Sequence, residues 1–210
     1  TLWHTLSLHD ALPIYGESDG SSANRIEDYT ARVDTFVQNM NIQQPIICGL
    51  SIGGAIVLQL LLTHKDRYKA GIIVNSGARL RVLPVIFESI EKDYAGYINS
   101  LYSFGASPTT PREKLEPMVE DMRQCPPQVA VDDFTACDGF DVIDQVQQIV
   151  VPVLILTASD DQLTPVKYGT FLNEKIKTST LHQIDDAGHL SPVEQPGAVS
   201  KAIRDFAGSL

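Results

Sequence analysis

Apolar residues recur along this chain in two rhythms. Ile26, Tyr29, Val33, Phe36 and Met40 fall at helical spacing, which predicts an amphipathic helix over Arg25 to Met40. Pro45 to Cys48 is short and wholly apolar, as a strand covered on both faces would be. Gly53 to Thr63 is apolar almost all round and predicts a buried helix. Ala70 to Val74 and Val151 to Leu156 predict two further buried strands, and Thr180 to Ile184 a fourth. Between these last two, Pro165 to Ile176 predicts a helix with Thr164 as N-cap and Pro165 at its first position. Ser191-Pro192-Val193-Glu194 has the spacing of a capping box and opens a final helix running to about Ala207. Strand alternating with helix implies an α/β domain with a mostly parallel sheet.

One long stretch breaks the alternation. Residues 78–149 carry no convincing strand. Phe87, Ile90, Tyr94, Tyr97, Leu101 and Phe104 mark one helix, and Thr110-Pro111-Arg112-Glu113 caps a second that bears Leu115, Met118, Val119 and Met122. A third spans Val129 to Cys137 and ends near Gly139. A helical insertion of this length between neighbouring strands has to sit on or beside the sheet, as a lid would.

The chain's 210 residues suit one domain with a sizeable core. A net charge of -10 repels phosphate backbones and anionic lipid, so neither nucleic acid nor a membrane surface is expected as a partner. Apolar runs such as Ala55 to Leu62 are too short to span a bilayer. Cys48, Cys125 and Cys137 have no metal-like spacing and are odd in number, which reads as buried thiols in a reduced, cytoplasmic compartment.

Gly49-Leu50-Ser51-Ile52-Gly53 lies between a buried strand and a buried helix, the context in which G-x-S-x-G forms a nucleophile elbow. The tight turn strains Ser51, and Gly49 and Gly53 are expected to let strand and helix pass without a Cβ clash. The Ser51 hydroxyl is then presented at the positive end of the helix dipole, with the Ile52 amide aimed at a developing oxyanion. A serine nucleophile needs a base. His64 sits at the polar end of the elbow helix, and His182 lies within a strand, as a structural histidine. His189 follows Ala187-Gly188 in a loop at a strand's carboxyl end, where catalytic groups of open α/β sheets gather. His189 is therefore the expected general base. Asp160 and Asp161 share the loop after Val151 to Leu156. Asp161 is favoured as the residue that orients His189, with Asp160 as a turn residue, while Asp185 and Asp186 lie near His189 in sequence only. The order Ser51, Asp161, His189 is that of α/β-hydrolases rather than of chymotrypsin or subtilisin types.

From Tyr15 onward the chain resembles α/β-hydrolase-fold serine hydrolases with a helical cap. "GLSIGGA", "LTASDDQLTP" and "AGHLSPVEQP" are similar to the family's blocks around nucleophile, acid and histidine, and "YGESDG" to the end of its loop after the fourth strand. The resemblance implies hydrolysis of a small-molecule carboxylic ester, such as carboxylesterases, enol-lactonases and carrier-protein methyl ester esterases perform, with no metal or organic cofactor. Serine at the nucleophile position, rather than aspartate, argues against epoxide hydrolase and haloalkane dehalogenase chemistry. Carbon–carbon bond hydrolysis or lactone opening on the same fold is the alternative. A non-catalytic ligand receptor that keeps the fold is another, and steady-state turnover would set it apart.

Residues Thr5 to Ile14 (TLSLHDALPI) match one reading frame of a widely used sequencing-library adapter at every position. Residues 1–14 are accordingly expected to be adapter-derived, which removes His9 and Asp10 from the site. The expected organisation is 15–77 as the first part of the core, 78–149 as cap and return helix, and 150–210 as the second part. By the resemblance, four strands and a helix would precede Tyr15, roughly 60 residues at ordinary element lengths. One lost loop would supply the second oxyanion amide, and the strand at Pro45 to Cys48 would lack its neighbour. The polypeptide as written is thus expected to be poorly soluble and nearly inactive.

Overall fold

The computed structural model describes residues 20–210. The adapter-like segment and nearly all of "YGESDG" lie outside the described residues, as do His4 and His9. Helix α1 (Ile26–Asn39) leads into strand β1 (Ile46–Leu50), then α2 (Ile52–Thr63) and β2 (Ala70–Val74). Four helices follow: α3 (Pro84–Lys92), α4 (Tyr94–Phe104), α5 (Arg112–Gln124) and α6 (Pro127–Gly139). The chain then returns through β3 (Val153–Ala158), α7 (Lys167–Lys175), β4 (Ser179–Ile184), the single turn α8 (Ser191–Glu194) and α9 (Pro196–Gly208). All four strands are parallel, in the order β1-β2-β3-β4. Every described strand therefore ends at the same edge, and the loops that follow them meet there.

Strand periodicity divides the core. Ile47, Ile73, Val153 and Ile155 pack on one face with residues of α1, α2 and α7. Their neighbours Ile72, Val74, Leu154 and Leu156 pack on the other, against Val199 and Ile203 of α9. Strands β2 and β3 are consequently buried along their whole length. The expectation that the run to Cys48 is covered on both faces does not hold. Helix α9 lies against β3 and β4, leaving Cys48 exposed on β1, so of the three thiols only Cys137 is buried. His182 is likewise exposed, on edge strand β4, and is not a structural core histidine.

The inserted helices gather around their own apolar centre, with Ile90, Tyr97, Ile98, Leu101, Leu115 and Val119 buried together. The single helix expected through Phe87 and Phe104 is two. Asp93 breaks it and caps α4 by accepting from the Gly96 amide at 2.9 Å. At the insertion's neck, Leu80 N donates to Phe140 O and Val142 N to Ala78 O, closing the entering and leaving segments into one bridge.

Three expected helix starts also move, each because the capping side chain is used elsewhere. Helix α7 begins at Lys167, since the Thr164 hydroxyl bonds Asp161 instead of the helix. Helix α5 is preceded by Pro111, and Thr110 bonds Glu194. Ser191 lies inside α8 rather than capping it, and Glu194 reaches away from its own turn. Pro196 then disfavours helical geometry at Gln195, so the final helix is interrupted and restarts.

Candidate active site

Strand β1 ends one residue before Ser51, and α2 begins one residue after it. Ser51 turns the chain between them with φ 54° and ψ -116°, a left-handed geometry that costs a non-glycine residue about 1–3 kcal/mol. Hydrogen bonds hold it there. Its N–H donates to Val74 O at 3.0 Å, and its carbonyl accepts from Gly54 N, from Ala55 N and from the Ser76 hydroxyl at 2.7 Å. A Cβ on Gly49 would lie 2.1 Å from the Gly53 carbonyl oxygen, so only glycine fits at position 49. Gly53 itself is not constrained in this way, because a Cβ there would meet nothing within 4 Å. The second tight approach belongs to Gly54, whose Cβ would sit 2.5 Å from that of Ser76. Ile52 opens α2, and its amide therefore has no intrahelical acceptor.

His189 stands in the loop after β4, 7% exposed. Its Nδ1 lies 2.9 Å from Asp161 Oδ2 across the loop after β3. Asp161 is fully used: Oδ1 accepts from the amides of Leu163 and Thr164, both at 2.9 Å, and Oδ2 from the Thr164 hydroxyl at 2.7 Å as well as from His189. Burial works to raise the Asp161 pKa, but the hydrogen bond and charge of His189, with the Thr164 amide and hydroxyl, outweigh it and hold the carboxyl below its ordinary range. Asp160, expected as a plain turn residue, instead accepts from the Ser107 hydroxyl at 2.6 Å and so ties this loop to the insertion. Asp185 and Asp186 are both exposed, and Asp185 pairs with Gln183. His64 is on the far side of α2, 3.6 Å from Asp34.

The sequence reading did not single out Asn75, Ser76, Thr164 or Glu194 as site residues. Asn75 follows β2 at φ 45° and is completely buried; its side-chain amide donates to the carbonyls of Gly188 and His189 and lies 2.9 Å from the Ser191 hydroxyl. Next to it, Ser76 holds the Ser51 carbonyl. Neighbouring side chains thus fasten the serine turn and the histidine loop to one strand end. Two polar residues directly after five buried apolar ones, in Ala70 to Ser76, were the available signal.

Among the described residues no group of three or more His, Cys, Asp or Glu side chains is placed to hold a metal ion, and no helix is long and apolar enough to cross a membrane. The arrangement offers a strained hydroxyl, a free helix-initiating amide and a carboxylate-bound imidazole along one sheet edge.

Known proteins with related sequences and folds carry names that suit such chemistry. A 3-oxoadipate enol-lactonase of Acinetobacter baylyi is 28% identical over 187 residues, which is 85% of this chain and 69% of that protein. A pimeloyl-[acyl-carrier protein] methyl ester esterase of Neisseria meningitidis is 24% identical over 85% of this chain and 74% of its own length. Among solved structures, a thermophilic esterase superposes with a TM-score of 0.82 at 28% identity, covering 94% of this chain and 79% of that one. An N-acyl homoserine lactone degrading enzyme gives 0.81 at 26% identity, over 91% and 78% of the two chains. Residues 11–202 match the model of the alpha/beta hydrolase family, and the chain belongs to that family.

Proposed function

We propose that this chain is a serine hydrolase of carboxylic esters that works through an acyl-enzyme. The observation that carries the reading is the buried Asp161–His189 pair on the same sheet edge as the strained Ser51 turn. In this mechanism Ser51 Oγ attacks the ester carbonyl carbon as its proton passes to His189 Nε2. Asp161, at Nδ1, fixes the tautomer and stabilises the imidazolium. The carbonyl electron pair moves onto oxygen, which the Ile52 amide receives. Collapse expels the alkoxide, protonated by His189, and leaves an acyl group on Ser51. Water then gives a proton to His189 and attacks that acyl carbon; the bond to Ser51 Oγ breaks, His189 returns the proton to that oxygen, and the acid leaves.

We take small to medium apolar acyl groups as its substrates; the aromatic cluster of Tyr97, Phe104 and Phe134 packs inside the insertion and holds its helices together. We read residues 78–149 as its cap. Three unpaired thiols, one of them exposed on β1, fit a reducing compartment. Lactone opening is the second reading, favoured by the names of two of the relatives; the acyl chemistry is identical, but the leaving alkoxide stays tethered. The test is turnover of p-nitrophenyl acetate to octanoate beside a panel of lactones, with Ser51→Ala as comparison. Ester or lactone turnover is expected, slowed where the Ile52 amide acts without a second donor, and it disappears in Ser51→Ala. Turnover retained by that variant overturns the serine mechanism.

A further inference from the structure

Glu194 is 1% exposed and has no part in the mechanism above. Its Oε1 accepts from the Gly188 amide at 2.9 Å, and its Oε2 from the Ser107 amide and the Thr110 hydroxyl, both at 2.7 Å. Gly188 immediately precedes His189, whereas Ser107 and Thr110 belong to the connection between α4 and α5. All three partners donate, so the site calls for a group that only accepts. The same two segments meet at other points. Leu190 N donates to Gly105 O at 3.2 Å, and Lys114 Nζ donates to the Glu194 carbonyl. A Cβ on Gly188 would lie 2.5 Å from the Ala106 carbonyl carbon, so the backbones are in direct contact. Leu190 and Val193 pack into the apolar centre of the inserted helices.

We propose that Glu194 is a positioning residue for His189, the anchor through which the inserted helices set the base. This rests on the Ser51–Asp161–His189 reading. The imidazole is held at Nδ1 by Asp161, and the backbone that carries it is held on one side by Asn75 and on the other by Glu194. Without that carboxylate two buried amides and the half-buried Thr110 hydroxyl lose their acceptor, and the Gly188–His189 segment loses its contact with the insertion. The imidazole is then no longer fixed at the sheet edge it shares with the Ser51 turn, and turnover suffers while substrate binding does not.

Glu194→Gln in the full chain tests this, because the isosteric amide cannot accept at both ends. With its oxygen toward Ser107 and Thr110, its NH2 faces the Gly188 N–H; reversed, it faces the Ser107 N–H. Well below the melting temperature, kcat for p-nitrophenyl butyrate is expected to fall about 100-fold while KM stays within about twofold. Asp34→Asn is the comparison for stability alone. It alters another buried carboxylate, bound by Tyr68, Gln38 and Arg67 and close to His64, in α1 and away from the site, and is expected to lower Tm with kcat unchanged. Should Glu194→Gln fail to fold, Thr110→Val removes one of the three bonds, and about a fivefold loss in kcat at constant KM is expected. An unchanged kcat in whichever variant folds, or a loss matched by Asp34→Asn, overturns the proposal. Ser51→Ala separates the two readings: if it abolishes turnover and Glu194→Gln does not impair it, only the role of Glu194 falls.

Discussion

Replacing Asp161 with asparagine isolates the contribution of a single proton's position. Oδ1 accepts from two backbone amides, so an NH2 group there would face two donors. The asparagine carbonyl must therefore stay at the Oδ1 position, and the NH2 falls where Oδ2 was, next to His189 Nδ1. The Thr164 hydroxyl can rotate to accept from it, so every buried group keeps a partner and the loop keeps its shape. What changes is the imidazole. Its Nδ1 becomes an acceptor and its proton moves to Nε2, the atom that takes the Ser51 proton in the proposed mechanism. Neutralising this carboxylate in a Ser-His-Asp site costs kcat about 10⁴-fold, ~5.4 kcal/mol of transition-state stabilisation. Steady-state kcat for p-nitrophenyl butyrate measures the loss, circular dichroism checks the fold, and ¹⁵N spectra of His189 report the tautomer. A folded variant that keeps kcat within about tenfold of the parent, or one whose Nδ1 still carries the proton, refutes the reasoning.

Two further outcomes follow from the same geometry. Because the folded protein holds the Asp161 carboxyl below its unfolded value, its contribution to stability is complete above the ordinary carboxylate pKa of about 3.9 and is lost as pH falls through the folded value. Between about pH 6 and pH 3 the parent should therefore lose more Tm than Asp161→Asn, and equal losses would count against the ionised pair. At the elbow, Gly49→Ala drives a methyl group into the Gly53 carbonyl, backbone against backbone, and should cost about 3 kcal/mol or more in urea unfolding. Gly53→Ala enters open space inside a helix and should be neutral or stabilising by up to ~1 kcal/mol; equal destabilisation by both would refute the steric account.

Much of this molecule could be read without coordinates, and for local reasons. Burial on both faces of β2, and of β3 as far as Leu156, follows from apolar runs that no polar residue interrupts, and Gly53 to Thr63, with Gln59 as its one polar interior residue, reads as a covered helix. Gly49 and Ser51 mark the turn because a strand and a helix can meet that closely only with such residues. His189 and Asp161 follow from where parallel strands end. The misplaced helix starts share one cause. Thr164, Thr110 and Ser191-Pro192-Val193-Glu194 read as helix caps, since capping is what those residues do when only their sequence neighbours are considered. In the fold each is taken by another partner: Thr164 by Asp161 of its own loop, Thr110 by Glu194 across the insertion, and Glu194 by Gly188 and Ser107.

Periodicity and strand direction thus carry the parallel α/β plan, and with it the set of side chains that arrive at the sheet's carboxyl edge. Which of those side chains hold each other is settled only by the packing of the folded chain. A hydrogen bond between residues 28 apart, as between Asp161 and His189, or 87 apart, as between Ser107 and Glu194, depends on a meeting of loops that no local pattern encodes.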